Sequence, residues 1–458
     1  MKYVRTLATT VAPLLILGTM ATALRMGAES PGMAAFVLPA PAPKTGDRIV
    51  WQVRVLREAR RIRDAAPAVP LDVVALARGT RATWSGTTNL EGVAEAELHF
   101  AQIAAGDPVD IEVRSGATLL AKGVVAVPAG VAPRAAPALV ATKADGPLSI
   151  VLTAPIGGVP PALDSAIWLR VAGPGAEGAR VALEGEAGLE IAVPSVVPCA
   201  GGRVKVPVRA GSHLLALRAT ATAQDGTASS WYGALPVVPG GDEIAIEPPR
   251  PAAGAPLRLV VKSPTPKPLV YIELYDDVGR VAAATKELTP VPGAPMAMPT
   301  ASVDVPSAVA GRYFAVVSSR ADGFVQGTAV SRAFVVGEAV PEATATGCDA
   351  SADRLLFEPP SFARGVALDG FVRRYEAARE TRRSGTRLAM FSLTLGIALA
   401  GLMIWSAMRQ PKRRVDEMPE EAVLRQNTTP RWLAVIMLAS LACLAYLMLA
   451  GLVLYAGD

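Results

Sequence analysis

Residues 88–100 read Thr-Asn-Leu-Glu-Gly-Val-Ala-Glu-Ala-Glu-Leu-His-Phe, and this stretch decides the fold class. Ala94, Ala96, Leu98 and Phe100 alternate with Glu95, Glu97 and His99. Successive side chains of a strand point to opposite faces, so the run is a strand with one apolar face, entered through a turn at Asn89–Gly92. The same alternation appears upstream, where Trp51, Val53 and Val55 interleave with Gln52 and Arg54, and downstream over 109–114 and 119–127. Turn signals at Gly106-Asp107-Pro108 and Ser115-Gly116 separate the later runs. Short strands at such spacing predict a β-sandwich over residues 48–130. One helix is predicted at 55–66, where arginines dominate one face.

Two more units follow. Residues 146–239 carry strand patterns at 167–171, 179–183, 189–193, 204–208 and 214–221, with Asp225-Gly226 as a tight-turn pair. Residues 242–337 carry them at 257–261, 270–275, 302–305, 313–318 and 329–336. Proline-rich stretches at 248–256 and 290–299 fit loops and sheet edges, where a missing N–H does least harm. No strict internal repeat is present, yet the units read as variations on one architecture.

The Thr88-Asn89-Leu90-Glu91-Gly92-Val93-Ala94 element resembles the turn into a central strand of bacterial immunoglobulin-like and macroglobulin-like β-sandwich modules. Residues 270–276 (Val-Tyr-Ile-Glu-Leu-Tyr-Asp) and 311–316 (Gly-Arg-Tyr-Phe-Ala-Val) are similar to the same class. The resemblance implies a mainly β fold of two to three tandem sandwiches. It does not extend to the reactive thioester of true macroglobulins: Thr346-Gly347-Cys348-Asp349-Ala350 lacks the glutamine that chemistry needs.

The ends of the chain point to a membrane. Lys2 and Arg5 precede an apolar run, so residues 1–25 read as a signal peptide or an N-terminal anchor, with cleavage after Ala23 and retention both open. Residues 26–47 form a Pro/Ala-rich spacer, and 338–387 a linker and juxtamembrane helix. Residues 388–408 and 432–457 are uncharged runs, each with the roughly 20 residues a helix needs to span a bilayer, which predicts a transmembrane hairpin. Arg387, Lys412, Arg413 and Arg414 are its flanking charges. The basic loop 409–431 is assigned to the cytoplasm and the large domain to the periplasm or the outside. Ser392, Gly396 and Ala400 repeat at four-residue intervals, a spacing that lets helices approach closely, and Ala439 and Cys443 are the expected partners. Chance in an Ala-rich chain is the competing explanation. The expected partners are thus the lipid bilayer and an envelope or membrane protein.

The net charge of +5 is concentrated beside the apolar runs and does not argue for nucleic acid. Only two histidines occur, His99 and His213, in different units and without metal-ligand spacing, which argues against a histidine-based metal site or base. Nucleophile-elbow, phosphate-loop and dinucleotide motifs are absent, so no cofactor and no small-molecule substrate are implied. The acidic pairs Asp276-Asp277 and Glu420-Glu421 read first as surface. Trp231-Tyr232 is a candidate platform for sugar or peptide, with core packing as the simpler account. Cys199 and Cys348 are able to pair in an oxidising compartment, though no spacing requires it. The expectation is a non-catalytic, membrane-anchored envelope protein that binds or scaffolds another envelope protein or a surface polymer. The alternatives are a thioester-less macroglobulin-like protein that engages proteases and a hydrolase with an acidic site.

Overall fold

A computed structural model describes residues 11, 13–22, 32–59, 62–154, 158–199, 203–211, 214–238, 241–288, 298–306, 308–321, 329–337, 352–362, 365–408, 440 and 443–447. They fall into two units. One, Ala35–Leu56 with Ala65–Asp369, holds three sandwiches in tandem; the other, Met1–Ala34, Arg57–Asp64 and Gly370–Asp458, is mainly helical.

The first sandwich pairs β1 (Gly32–Leu38), β2 (Arg48–Ala59), β3 (Ile62–Ala65) and β25 (Leu368–Asp369) in the order β25-β1-β2-β3, with β6 (Val93–His99) also on β2. Its second sheet is β5-β4-β7-β8, from Thr80–Thr87, Pro70–Ala77, Pro108–Ser115 and Thr118–Ala126. Trp51, Val53, Ala96, Leu98 and Ile111 of the alternating runs are buried, and so is Val73 of β4. Burying side chains of this size contributes about 1.5–3 kcal/mol each. The turn into β6 is built by side chains as well as backbone. Asn89 Oδ1 accepts from the N–H groups of Glu91 and Val93, and Thr88 Oγ1 donates to Ala66 O and accepts from Val69 N–H. Gly92 closes the turn at φ +72°, and a Cβ there would collide with Val55 O and lie 2.8 Å from Ala66 N.

The second sandwich faces β10-β11-β15-β13 (Ser149–Thr153, Asp164–Ala172, Val204–Ala210, Leu189–Ile191) against β14-β12-β16-β17-β9 (Ser195–Val196, Arg180–Gly185, Leu214–Thr222, Ala228–Pro236, Ala141–Asp145). Its core includes Leu152, Ile167, Leu169, Val181, Val206, Leu217 and Trp231. The third faces β18-β19-β22 (Glu243–Glu247, Leu257–Lys262, Thr300–Val305) against β21-β20-β23-β24 (Arg280–Leu288, Lys267–Tyr275, Gly311–Ser318, Val330–Val336). After it the chain passes a short helix, α2 (Ala352–Leu355), forms bridges from Phe357 and Ser361 to Ala135 and Val131, and returns to the first sandwich as β25.

Two local expectations are corrected. Residues 55–66 are not a helix: the alternation of β2 continues through buried Val55, and β3 follows. The stretch taken as a spacer supplies β1 and a buried extended segment. Ala40 O accepts from Trp51 Nε1–H at 2.9 Å, Pro41 O accepts from Arg280 N–H at 3.0 Å, and Lys44 N–H donates to Asp276 Oδ2 at 2.6 Å. Proline-rich backbone keeps its carbonyl acceptors, and here neighbouring strands use them.

The membrane expectation is also corrected. Among the described residues no helix is long and apolar enough to cross a membrane. Residues 388–408 are the second half of one helix, α3 (Gly370–Met408), whose first half carries Arg373, Arg374, Glu376, Arg379, Glu380 and Arg383. The side chains at 400, 403, 404 and 406–408 lie outside the described residues. So does most of 432–457, together with the loop 409–431 and its Lys412, Arg413, Arg414, Glu420 and Glu421. The bilayer partner, the anchored envelope reading, the multi-pass topology and the transmembrane hairpin therefore find no support in the structure. Within the helical unit, α3 packs against α1 (residues 13–22) through Ile16, Ala389 and Leu393, with Ala445 in the same cluster. It leaves Leu388, Phe391, Ile397 and Leu402 exposed.

Candidate binding face

Trp231 and Tyr232 are consecutive on β17 and therefore lie on opposite faces of the sheet. Trp231 is 3% exposed in the core, and Gly233, where a Cβ would meet the Trp231 ring, leaves that ring room to lie along the strand. Tyr232 is 42% exposed on the outer face. The two rings do not form a common platform, and only Tyr232 is presented.

What surrounds Tyr232 follows from register. Arg218 of β16 pairs with Tyr232, and Glu184 of β12 pairs with Arg218; on the other side Lys143 of β9 pairs with Tyr232. The next outward row is Ala182, Thr220, Ser230 and Asp145, and the one beyond joins Arg180 to Thr222. Arg218 lies with its guanidinium carbon 5.9 Å from the Tyr232 ring centroid. Between the rows the small side chains leave a concavity of about 410 Å³, lined by Gly178, Arg180, Ala182, Thr220, Thr222, Ala223 and Gln224. Gly178, at φ +75°, lets the Gln224 amide close one end, where a Cβ would collide with it. These residues were missed by pattern reading, although the phase of β16 carried a signal: Arg218, Thr220 and Thr222 are out of step with Leu217, Ala219 and Ala221, which are buried.

A second polar constellation is internal. β20 is covered on both faces: Val270, Ile272 and Leu274 enter the core of the third sandwich, while Tyr271 and Glu273 face the first and Tyr275 packs with Phe314, Val316 and Ala329. Arg280, 1% exposed, directs Nη2 to Glu273 Oε1 at 2.5 Å and sets Nη1 3.0 Å from Glu95 Oε2. Gln52 Nε2 donates to Glu95 Oε1 at 2.9 Å and Tyr275 Oη donates to Glu273 Oε2 at 2.6 Å. Arg280 Nη1 also lies 3.4 Å from Val50 O. Burial pulls the Arg280 pKa down, but Glu273 and Glu95 outweigh it and hold the guanidinium protonated above its ordinary range. At the edge of this cluster Tyr271 donates to Glu91 Oε2 at 2.8 Å, and burial together with that bond pushes the phenol above its ordinary range.

The remaining singled-out residues are accounted for locally. His99 is exposed beside Glu97, and His213 lies outside the described residues. Asp276 accepts from Val278 and Gly279 N–H, capping the β20–β21 turn, and Asp277 Oδ1 accepts from Arg312 Nε at 2.7 Å. Arg387 is exposed on α3. Ser392 donates to Leu15 O at 3.0 Å and accepts from Thr19 Oγ1 at 3.1 Å, Gly396 is buried, and the Ala400 side chain lies outside the described residues. Ser392 thus meets α1; Cys443 is exposed with a free thiol, and Ala439 lies outside the described residues. Cys199 is disulfide-bonded, and Cys348 lies outside the described residues. Among the described residues no group of three or more His, Cys, Asp or Glu is placed to hold a metal ion.

No family model matches the chain, and no curated protein does. Among solved structures it is similar to trypsin-activated alpha-2-macroglobulin from Escherichia coli at 13% identity and TM-score 0.20, over 70% of this chain and 25% of that one. It is similar to dimeric latent PorU from Porphyromonas gingivalis at 12% identity and TM-score 0.22, over 67% of this chain and 34% of that one. A tetra-tandem repeat from the extending region of a large adhesion protein gives 12% identity and TM-score 0.16, over 67% and 75%. The chain spans about a quarter of the first of these proteins and about a third of the second. All three likenesses are distant.

Proposed function

We propose that this chain is a non-catalytic binding protein whose three sandwiches form a preorganised frame for a protein partner. A protease is the partner class put first by the macroglobulin-like pattern at 88–94, 270–276 and 311–316. The observation that carries the reading is the Arg280 cluster. Its buried ion pairs join the first sandwich to the third and commit Glu95 and Glu273 to structure instead of chemistry. Asp276 and Asp277, the acids a hydrolase would need, are likewise engaged by backbone N–H groups and by Arg312. A frame ordered before binding loses less entropy on association.

The test is to mix the purified chain with a panel of serine, cysteine and metallo-endoproteases and resolve the mixtures by size-exclusion chromatography. A non-covalent complex with at least one protease is the expected result. Failure to co-elute with any member of the panel would sink the protease reading.

A further inference from the structure

We propose that the outer face of β12, β16 and β17 binds an acidic oligosaccharide. The first ground is chemical inventory. The side chains of Arg180, Thr220, Thr222, Gln224 and Ser230 make no hydrogen bond or ion pair among the described residues, and the first four line the 410 Å³ concavity. A guanidinium, hydroxyls and an amide facing one hollow supply donors and acceptors at the spacing of a sheet, which suits a ligand dense in hydroxyl groups. The second ground is the ring. Tyr232 stands beside the hollow, half-exposed, with Arg218 alongside, so an apolar face for a sugar ring adjoins the polar floor.

Charge sets the ligand's sign. Arg180, Arg218 and Lys143 stand against Glu184 and Asp145 on this face. The acids are drawn toward two of the cations: Arg218 lies 3.9 Å from Glu184 and Lys143 lies 3.5 Å from Asp145, all with side chains more than half exposed. Such pairs are weak and readily exchanged. Arg180 has no carboxylate within 4.0 Å among the described residues, so its guanidinium is left to take one from the ligand, in bidentate fashion. An acidic peptide fits less well. Peptides bind sheets along an edge strand, where backbone groups are satisfied, or in grooves with apolar pockets, and this floor of Ala182, Thr220 and Ser230 offers neither.

This inference is independent of the protease reading, because a glycan titration leaves proteases out. The experiment is isothermal titration of the full chain with hexagalacturonate, with a neutral cello-hexaose and with hexaglutamate. Tyr232→Ala, Arg180→Ala and, as a control on the first sandwich, Lys122→Ala are titrated in parallel, with circular dichroism confirming that each variant is folded. Binding of the hexauronate is expected, at least tenfold tighter than either comparison ligand. It should weaken at least tenfold in Tyr232→Ala and Arg180→Ala and be unchanged in Lys122→Ala. No hexauronate binding, equal binding of hexaglutamate, or affinity indifferent to both Tyr232→Ala and Arg180→Ala would each overturn the proposal.

Discussion

Replacing Arg280 by methionine tests whether the buried cluster holds the first and third sandwiches together. The guanidinium is 1% exposed and contacts Glu273 at 2.5 Å and Glu95 at 3.0 Å. Without it two buried carboxylates face each other, while the Tyr275 hydroxyl still donates to Glu273 and the Gln52 amide to Glu95. Removing one member of a buried ion pair costs about 3–5 kcal/mol, most of it the desolvation of the charge left behind. In a body of this size 1 kcal/mol moves the melting temperature by about 2 °C, so Arg280→Met should melt about 6–10 °C below the wild type. The diagnostic partner is the triple variant Arg280→Met, Glu95→Gln, Glu273→Gln, which retains shape and removes every charge. Because the penalty arises from uncompensated charge, the triple variant should recover to within about 2 kcal/mol of the wild type. Scanning calorimetry of the three proteins measures both. A melting temperature for Arg280→Met within 1 °C of wild type, or a triple variant less stable than the single one, would refute the reasoning.

Other expectations follow from the same structure. Gly92→Ala should destabilise by about 2 kcal/mol or more, since it combines a left-handed backbone with a collision at Val55 O; urea melts monitored by Trp fluorescence read this out, and a shift under 0.5 kcal/mol would contradict it. The Tyr271 phenol is shifted upward, so folding favours its neutral form. Its contribution to stability is therefore complete below the unfolded phenol pKa of about 10 and is lost as pH rises toward the folded value. Tyr271→Phe should flatten the decline of stability above pH 10, and an unchanged decline would rule Tyr271 out as its source. Iodoacetamide applied without a reductant should label Cys443 and spare Cys199; peptide mass spectrometry showing alkylated Cys199 would disprove the disulfide.

Strand phase was legible because it depends on neighbours in the chain. The alternation at 51–55 and 94–98 identified the apolar face of β2 and β6, and Asn89–Gly92 marked the turn before β6. Alternation cannot show whether the opposite face is also covered. Gln52, Glu95 and Glu273 sit at positions that face solvent in an isolated sandwich, and their burial depends on contacts between sandwiches remote in sequence. The same limit applied at 39–44, where prolines indicated an extended segment but not the strands that use its carbonyls. At Trp231-Tyr232 the pattern offered two rings, and period-two geometry divided them between core and surface. The apolar run at 388–408 and the juxtamembrane helix before it were read as separate segments, and the structure makes them one helix from Gly370 to Met408.

The return of the chain bears on synthesis. β1 is made early, yet Phe36 pairs with Asp369 and Val37 with Leu368, so its neighbour arrives only after both later sandwiches have been translated. Until then the nascent first sandwich carries an open strand edge, the kind of surface on which unfinished chains associate with one another. Truncation anywhere before Leu368 would leave that edge permanently uncovered. Soluble yield from fragments ending in the third sandwich should then fall below that of fragments carried through β25.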